Sequence, residues 1–331
     1  MGKLSDSIKI TLAFAVIYII WGTTFLAIRF ALESIPPFLM AGIRFTVAGM
    51  LLLAWVYFRN PVKIKLEHLK LPVITGLLMI FIGHGSLVWA EQFITSGFAA
   101  LLCSVIPVWM VLISWMQSRA NKPDKLTVAG IVLGIIGVAL LLGTGDEFSI
   151  SAASGSSMVI FSIIPLLLSG IFWSYASIKS REFSKELPLL YAISIQILAG
   201  GTALLLLGIF SGEVSVLSVS AISFISFVSL VYLVLFGTLL AYSSYVWLLK
   251  ASTPAKVGTY AFFNPLIAVF LGWLTIDEPI TSVMIIGAAG ILVSVLLINK
   301  PFANKKLPKV FIPKKKILRT EPESICCEEA A

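Results

Sequence analysis

Shifted by 158 positions, the sequence lands on itself without a gap: Trp89 falls on Trp247, Thr95 on Thr253, Pro107 on Pro265 and Trp115 on Trp273. Two copies of one ancestral unit are therefore fused in this chain. Each copy holds five apolar runs of membrane length, an odd number, so the second must enter a bilayer upside down relative to the first. That arrangement is the build of many secondary transporters.

Composition places those runs in lipid. Hydrophobic residues make up 59% of the chain and charged residues only 12%, against about a quarter charged in soluble domains. Crossing the hydrocarbon takes about 20 apolar residues per helix. Runs of that kind lie at roughly 9–30, 37–58, 70–90, 95–117, 126–143, 157–178, 188–210, 221–248, 254–275 and 280–298. Turn formers such as Pro36-Pro37, Lys122-Pro123-Asp124, Gly143-Thr144-Gly145 and Asp277-Glu278-Pro279 separate them. The expected fold is an all-α integral membrane protein, with ten transmembrane helices as a five-plus-five inverted repeat. Its expected parts are an N-terminus at 1–8, repeats at 9–143 and 157–298, an external loop at 144–156 and a basic tail at 299–331. The first run is too long for a signal-peptide core and lacks a small-residue cleavage pattern, so it reads as a retained helix.

Charge placement sets the expected orientation. Of the 24 Lys and Arg residues, all but Arg29 and Arg44 fall on one side of this ladder, in loops or in the stretch from Lys300 to Arg319. The opposite loops carry Glu33, Glu91, Asp146, Glu147, Glu213, Asp277 and Glu278. By the positive-inside rule both termini are cytoplasmic, in a cell (plasma or inner) membrane. The repeat agrees, since Glu91-Gln92 aligns with Leu249-Lys250 and exchanges an outer acid for an inner base. The net charge of +8 lies beside membrane helices and in the tail, which favours anionic lipid over nucleic acid as the partner. Low in apolar residues, the tail is expected to be largely disordered.

Catalytic machinery is not visible. There is no His-Glu-x-x-His, no pair of carboxylates within a run, no Gly-x-x-x-x-Gly-Lys loop and no Cys-x-x-Cys, so neither an enzyme nor a cofactor or metal is expected. Cys103, Cys326 and Cys327 cannot make a disulfide framework, and two tail cysteines fall short of the four ligands a structural metal site takes. Gly130, Gly134 and Gly137 sit inside an apolar run, where small residues allow close helix packing.

Ionisable and polar groups inside a bilayer are costly, and so are candidates for function. Arg44 either snorkels to the outer headgroups or points into a central cavity as an anion anchor. Arg29, near a helix end, reads as an interfacial anchor. His84 is the deepest titratable side chain and aligns with Tyr242; it serves either as a substrate or proton partner or as a neutral imidazole bonded to a neighbouring helix. With no carboxylate inside a run, proton coupling would pass through His84 or Glu91, and facilitated transport is an equal reading. Trp21, Tyr18, Trp109, Trp173, Tyr175, Tyr242, Tyr245, Tyr260 and Asn264 add polar tips that need partners, which a wet cavity supplies. Trp89, Trp247 and Trp273 read instead as interfacial belt. Pro107 and Pro265 occupy equivalent mid-helix positions, a sign of a shared hinge.

Trp21-Gly22-Thr23-Thr24-Phe25, Ala41-Gly42-Ile43-Arg44-Phe45 after Pro36-Pro37, and Tyr260-Ala261-Phe262-Phe263-Asn264-Pro265-Leu266-Ile267-Ala268-Val269 before Asp277-Glu278-Pro279 carry a resemblance. Together they resemble the EamA family of the drug/metabolite transporter superfamily, over roughly 10–143 and 158–298. The resemblance implies a cavity lined by the first, third, fourth, sixth, eighth and ninth helices. It also implies efflux of amino acids, other metabolites or toxic compounds from a bacterial or archaeal cytoplasm. The basic tail and Phe263 depart from the family pattern. The expected activity is alternating-access transport of small, partly apolar solutes along a pathway of Trp21, Arg44, His84, Trp173, Tyr242, Tyr260 and Asn264. The alternatives are an importer of the same fold, a lipid scramblase and a sensor. The apolar helices argue against a scramblase's polar groove, and a sensor would bring a signalling domain.

Overall fold

The computed structural model describes residues 5–62, 65–94, 96–118, 123–142, 156–183, 187–276 and 282–299. The expected external loop beyond Leu142, the tail and Cys326-Cys327 lie outside them. Every regular element among the described residues is helical. Apart from two short turns of helix at Glu213–Val216 and Val219–Ala221, in chain order they are α1 (Asp6–Leu32), α2 (Pro37–Arg59), α3 (Leu66–Ala90), α4 (Ser96–Cys103 and Ile106–Ser118) and α5 (Lys125–Leu142). There follow α6 (Ser156–Ser180), α7 (Leu189–Phe210), α8 (Phe224–Ala251), α9 (Pro254–Gly258 and Tyr260–Ile276) and α10 (Ser282–Asn299). A helix thus stands in each expected apolar run. Seven of them, α1 to α4 and α6 to α8, are long and apolar enough to cross a membrane, and α5 and α10 contain shorter apolar helices.

Local chemistry sets the helix starts. Ser5 caps α1 by accepting a hydrogen bond from Ile8 N at 3.4 Å, and Asp6 places a negative charge in the positive first turn. Thr253 caps α9, followed by Pro254, whose missing N–H costs nothing at that position. The Pro36-Pro37 start of α2 has no cap of its own. Glu213, after α7, supplies one: its carboxylate accepts from Phe38 N at 3.2 Å and Leu39 N at 2.7 Å.

Two helix pairs are packed almost backbone to backbone. Between α2 and α7, a Cβ on Gly42 would sit 2.5 Å from the Leu205 backbone and one on Gly201 2.6 Å from Thr46 N. Between α5 and α10, a Cβ on Gly137 would sit 2.8 Å from Gly287 O, and Ser294 Oγ donates to Gly130 O at 2.6 Å. Gly130, Gly134 and Gly137 are therefore packing residues. The remaining helices form the centre. There α1 packs on α8 and α9, and α6 packs on α3 and α4, the same pattern once the repeat shift exchanges the copies.

The repeat is also written in helix geometry. α3 widens into π-type turns over Leu77–His84, and α8 does so over Leu233–Tyr242. Both wide stretches end at residues that the 158-position shift superposes, His84 and Tyr242. Such insertions recur at functional sites because they redirect side chains without ending the helix.

Hydrogen bonds define the two ends of the bundle. At one, Ser226 Oγ donates to Phe30 O and Ser223 N to Ser34 Oγ, which joins the α1–α2 turn to the start of α8. At the other, Tyr191 Oη donates to Asn60 O and Lys250 Nζ to Phe183 O. The first is called the turn end and the second, where α1 begins, the terminal end. Outward faces carry Leu12, Ile19, Phe58, Met116, Phe161 and Leu296, all exposed, while Ser162, Ser169, Ser174, Ser177 and Ser180 of α6 are buried inward. Apolar outside and polar inside is the pattern lipid imposes.

Candidate substrate cavity

Trp21, Arg44, His84, Trp173, Tyr242, Tyr260 and Asn264 line one cavity. α1, α2, α3 and α4 contribute residues from their turn-end halves: Trp21, Thr24 and Phe25; Arg44 and Phe45; Gly83, His84 and Leu87; and Leu102, Cys103 and Ile106. α6 contributes Leu166, Ser169, Gly170 and Trp173, α8 Gly237 and Tyr242, and α9 Tyr260 and Asn264. The six helices implied by the resemblance leave out α2, which brings Arg44, itself among the expected pathway residues. The cavity volume is ≈ 80 Å³. At the ~30 Å³ that a water takes in the liquid, that is room for a few waters or a small solute.

Aromatic side chains close the cavity toward the terminal end. Trp21 has ring centroids 4.7 Å from Tyr260, 4.8 Å from Tyr245 and 5.9 Å from Trp173, and Tyr245 lies 5.6 Å from Tyr260. Most meet edge to face or tilted, the favoured arrangement for ring quadrupoles. Their polar tips are tied down. Trp21 Nε1 donates to Gly237 O at 3.1 Å, Trp173 Nε1 donates to Tyr245 Oη at 3.1 Å, and Tyr245 Oη shares a 2.7 Å bond with Ser177 Oγ. Beyond this floor Tyr18 bonds Thr259 and stacks on Phe263 at 4.9 Å, so the unusual Phe263 takes part in the terminal-end closure.

Two polar features face the space above. Arg44 is 2% exposed and does not snorkel. Its Nε donates to Thr238 Oγ1 at 2.9 Å and its Nη1 to His84 Nε2 at 3.0 Å. A guanidinium only donates, so His84 accepts at Nε2 and, as a neutral ring, carries its proton on Nδ1. Arg44 has no ion pair among the described residues. Gly237 makes its place, since a Cβ there would stand 2.9 Å from Nη2. The second feature is Asn264, 2% exposed, whose Oδ1 has no hydrogen-bond partner. A buried acceptor left empty costs about 1–3 kcal/mol, and Asn264 belongs to the cavity lining.

The prolines stand apart from the lining. Pro107 follows the interruption of α4 at Ser104–Val105, and Pro265 lies inside the continuous helix Tyr260–Ile276, whose break comes earlier, at Thr259. Arg29 is exposed near the turn end. Residue-by-residue reading missed Thr238, Gly237 and the pivotal place of Tyr245. One signal was available. The repeat shift pairs Arg44 with Thr202, Gly237 with Met79 and His84 with Tyr242, and these departures from internal symmetry meet in space.

A helical bundle of two copies around a central cavity, apolar outside and polar within, has the build of a membrane carrier. The chain belongs to the EamA-like transporter family, whose model matches residues 8–143 and 160–300. It is a multi-pass membrane protein with a transporter role. The uncharacterized inner membrane transporter YedA of Escherichia coli (strain K12) is 30% identical, over 86% of this chain and 88% of that one. The uncharacterized transporter YoaV of Bacillus subtilis (strain 168) is 25% identical, over 91% of this chain and 100% of its own. A crystal structure at 19% identity superposes with a TM-score of 0.70, covering 88% of this chain and 96% of that one; at that identity it shows the fold alone.

Proposed function

We propose that the chain exports small, partly apolar metabolites bearing a single carboxylate, amino acids or related compounds, by alternating access. Both termini are cytoplasmic in this reading, because Lys9, Arg59, Lys65, Lys70, Lys125, Lys179, Arg181, Lys250 and Lys256 gather toward the terminal end. The cavity then occupies the external half of the bundle and the aromatic floor is the closed cytoplasmic gate. The observation that carries the reading is the pair of unmet polar groups within an apolar wall: Arg44 without an anion and Asn264 Oδ1 without a donor. A solute with a carboxylate, a nearby N–H or O–H and an apolar remainder answers all three. No enzyme activity is part of this reading.

The test is the metabolite content of the medium from cells expressing the native chain, against cells expressing Tyr260→Arg at equal membrane levels. The substitution puts a charge into the floor. Monocarboxylates or amino acids enriched outside only with the native chain are the expected result. Equal profiles, with the compounds instead accumulating inside, would reverse the direction of transport.

A further inference from the structure

Glu91 follows the last residue of α3, and the cavity chemistry above does not use it. Both of its carboxyl oxygens are buried and neither has a hydrogen-bond partner. It stands one helical turn beyond Leu87 and two beyond His84, both cavity residues, on the same helix face. The charged and titratable groups near enough to act on it electrostatically are Arg29 of α1, Arg44 of α2 and the Cys103 thiol of α4. α6 brings the apolar Ile163 and Leu166 to the hydrophobic cluster that holds Ala90, the residue before Glu91, and Cys103. His84, on its own helix, is occupied by Arg44.

The interior thus holds a cation on Arg44 and a carboxyl on Glu91 that do not touch. An unpaired buried carboxylate is driven to its neutral form; a guanidinium keeps its proton, so Glu91 is the group that adjusts. While the cavity is empty, the cation on Arg44 pulls Glu91 toward its ionised form against burial. Once an anion sits on Arg44 that pull is cancelled, and burial beside a second negative charge favours the proton on Glu91.

We propose that Glu91 is a proton site coupled to anion binding: the cavity takes one proton onto Glu91 together with one carboxylate onto Arg44. This rests on the reading of Arg44 as the carboxylate anchor. The proton comes from water, forms an O–H bond on the Glu91 carboxyl, and leaves when the ligand leaves. A monocarboxylate of net charge −1 and its proton cross without net charge, so its outward flux follows the solute's own gradient, opposed only by the pH difference; a zwitterionic amino acid would carry one positive charge across.

The test is binding of acetate and benzoate to the full chain in lipid nanodiscs, followed by the fluorescence of the cavity tryptophans Trp21 and Trp173 between about pH 5 and 8. The expected affinity rises as pH falls, approaching tenfold per unit for one linked proton. Glu91→Gln should abolish the dependence and Glu91→Asp should keep it. Should Glu91→Gln not accumulate, Arg29→Gln serves: removing an exposed positive neighbour moves the midpoint to higher pH. Dependence that persists in Glu91→Gln assigns the proton to His84 and overturns the proposal. So does binding of either anion without pH dependence, which leaves Arg44 as an anchor. No binding of either anion at any pH refutes the anchor itself, and the proton site falls with it.

Discussion

At the residue scale, the site is built from side chains with incomplete bonding. Arg44 uses two of its donors, on Thr238 and His84, and Gly237 keeps the space beside Nη2 open. Asn264 is the cleaner case, because its Oδ1 serves no visible structural purpose. Asn264→Leu, which removes that buried acceptor at similar volume, should leave stability unchanged or raise it by about 1 kcal/mol. Substrate affinity should fall. Thermal unfolding in detergent read beside transport checks this; lost stability together with intact transport would make Asn264 a structural residue. The two readings of Arg44 that the sequence left open differ by which groups meet it, and those lie 40 and 194 residues away.

At the element scale, the α2–α7 seam fixes where Arg44 sits. Gly42 lies two residues before it and allows α2 to approach the Leu205 backbone. Gly42→Ala would force a Cβ to within 2.5 Å of that backbone and should cost about 1–3 kcal/mol or more. Gly290→Ala is the control, since its Cβ would meet nothing nearer than 3.6 Å and should cost under about 0.5 kcal/mol. Equal melting temperatures for the two variants would contradict the seam. The wide turns of α3 and α8 had no sequence signature of their own. Propensity does not separate i→i+5 from i→i+4 bonding; only neighbours packed against the helix select it.

At the scale of the whole molecule, the aromatic floor divides a cavity from a closed end, and transport requires that division to move. Ser169 of α6 lies on the cavity side, and Ser177, bonded to Tyr245, on the other. In a chain whose native cysteines are replaced, a membrane-impermeant thiol reagent added outside should label Ser169→Cys and spare Ser177→Cys. Adding Trp21→Ala should make Ser177→Cys reactive by removing the ring that touches both Tyr245 and Tyr260. Labelling of both sites without that change would mean that the floor is no barrier.

The fold was largely legible because lipid leaves little choice. A run of apolar residues with no water for its backbone must be helical, and the matched positions from Trp89 and Trp247 to Trp115 and Trp273 fix two copies. The polar candidates were legible for the same reason, since a polar side chain inside lipid is too costly to be incidental. What the sequence determined alone is therefore the class, the repeat and a short roll of suspects. The tertiary structure decided which of them meet: that Arg44 finds His84 and Thr238, that four rings from α1, α6, α8 and α9 close one floor, and that Glu91 is left without a hydrogen-bond partner. Each of those outcomes turns on ångström-scale distances between side chains far apart in the chain. Helix packing sets such distances, and periodicity along one helix carries no record of its neighbour.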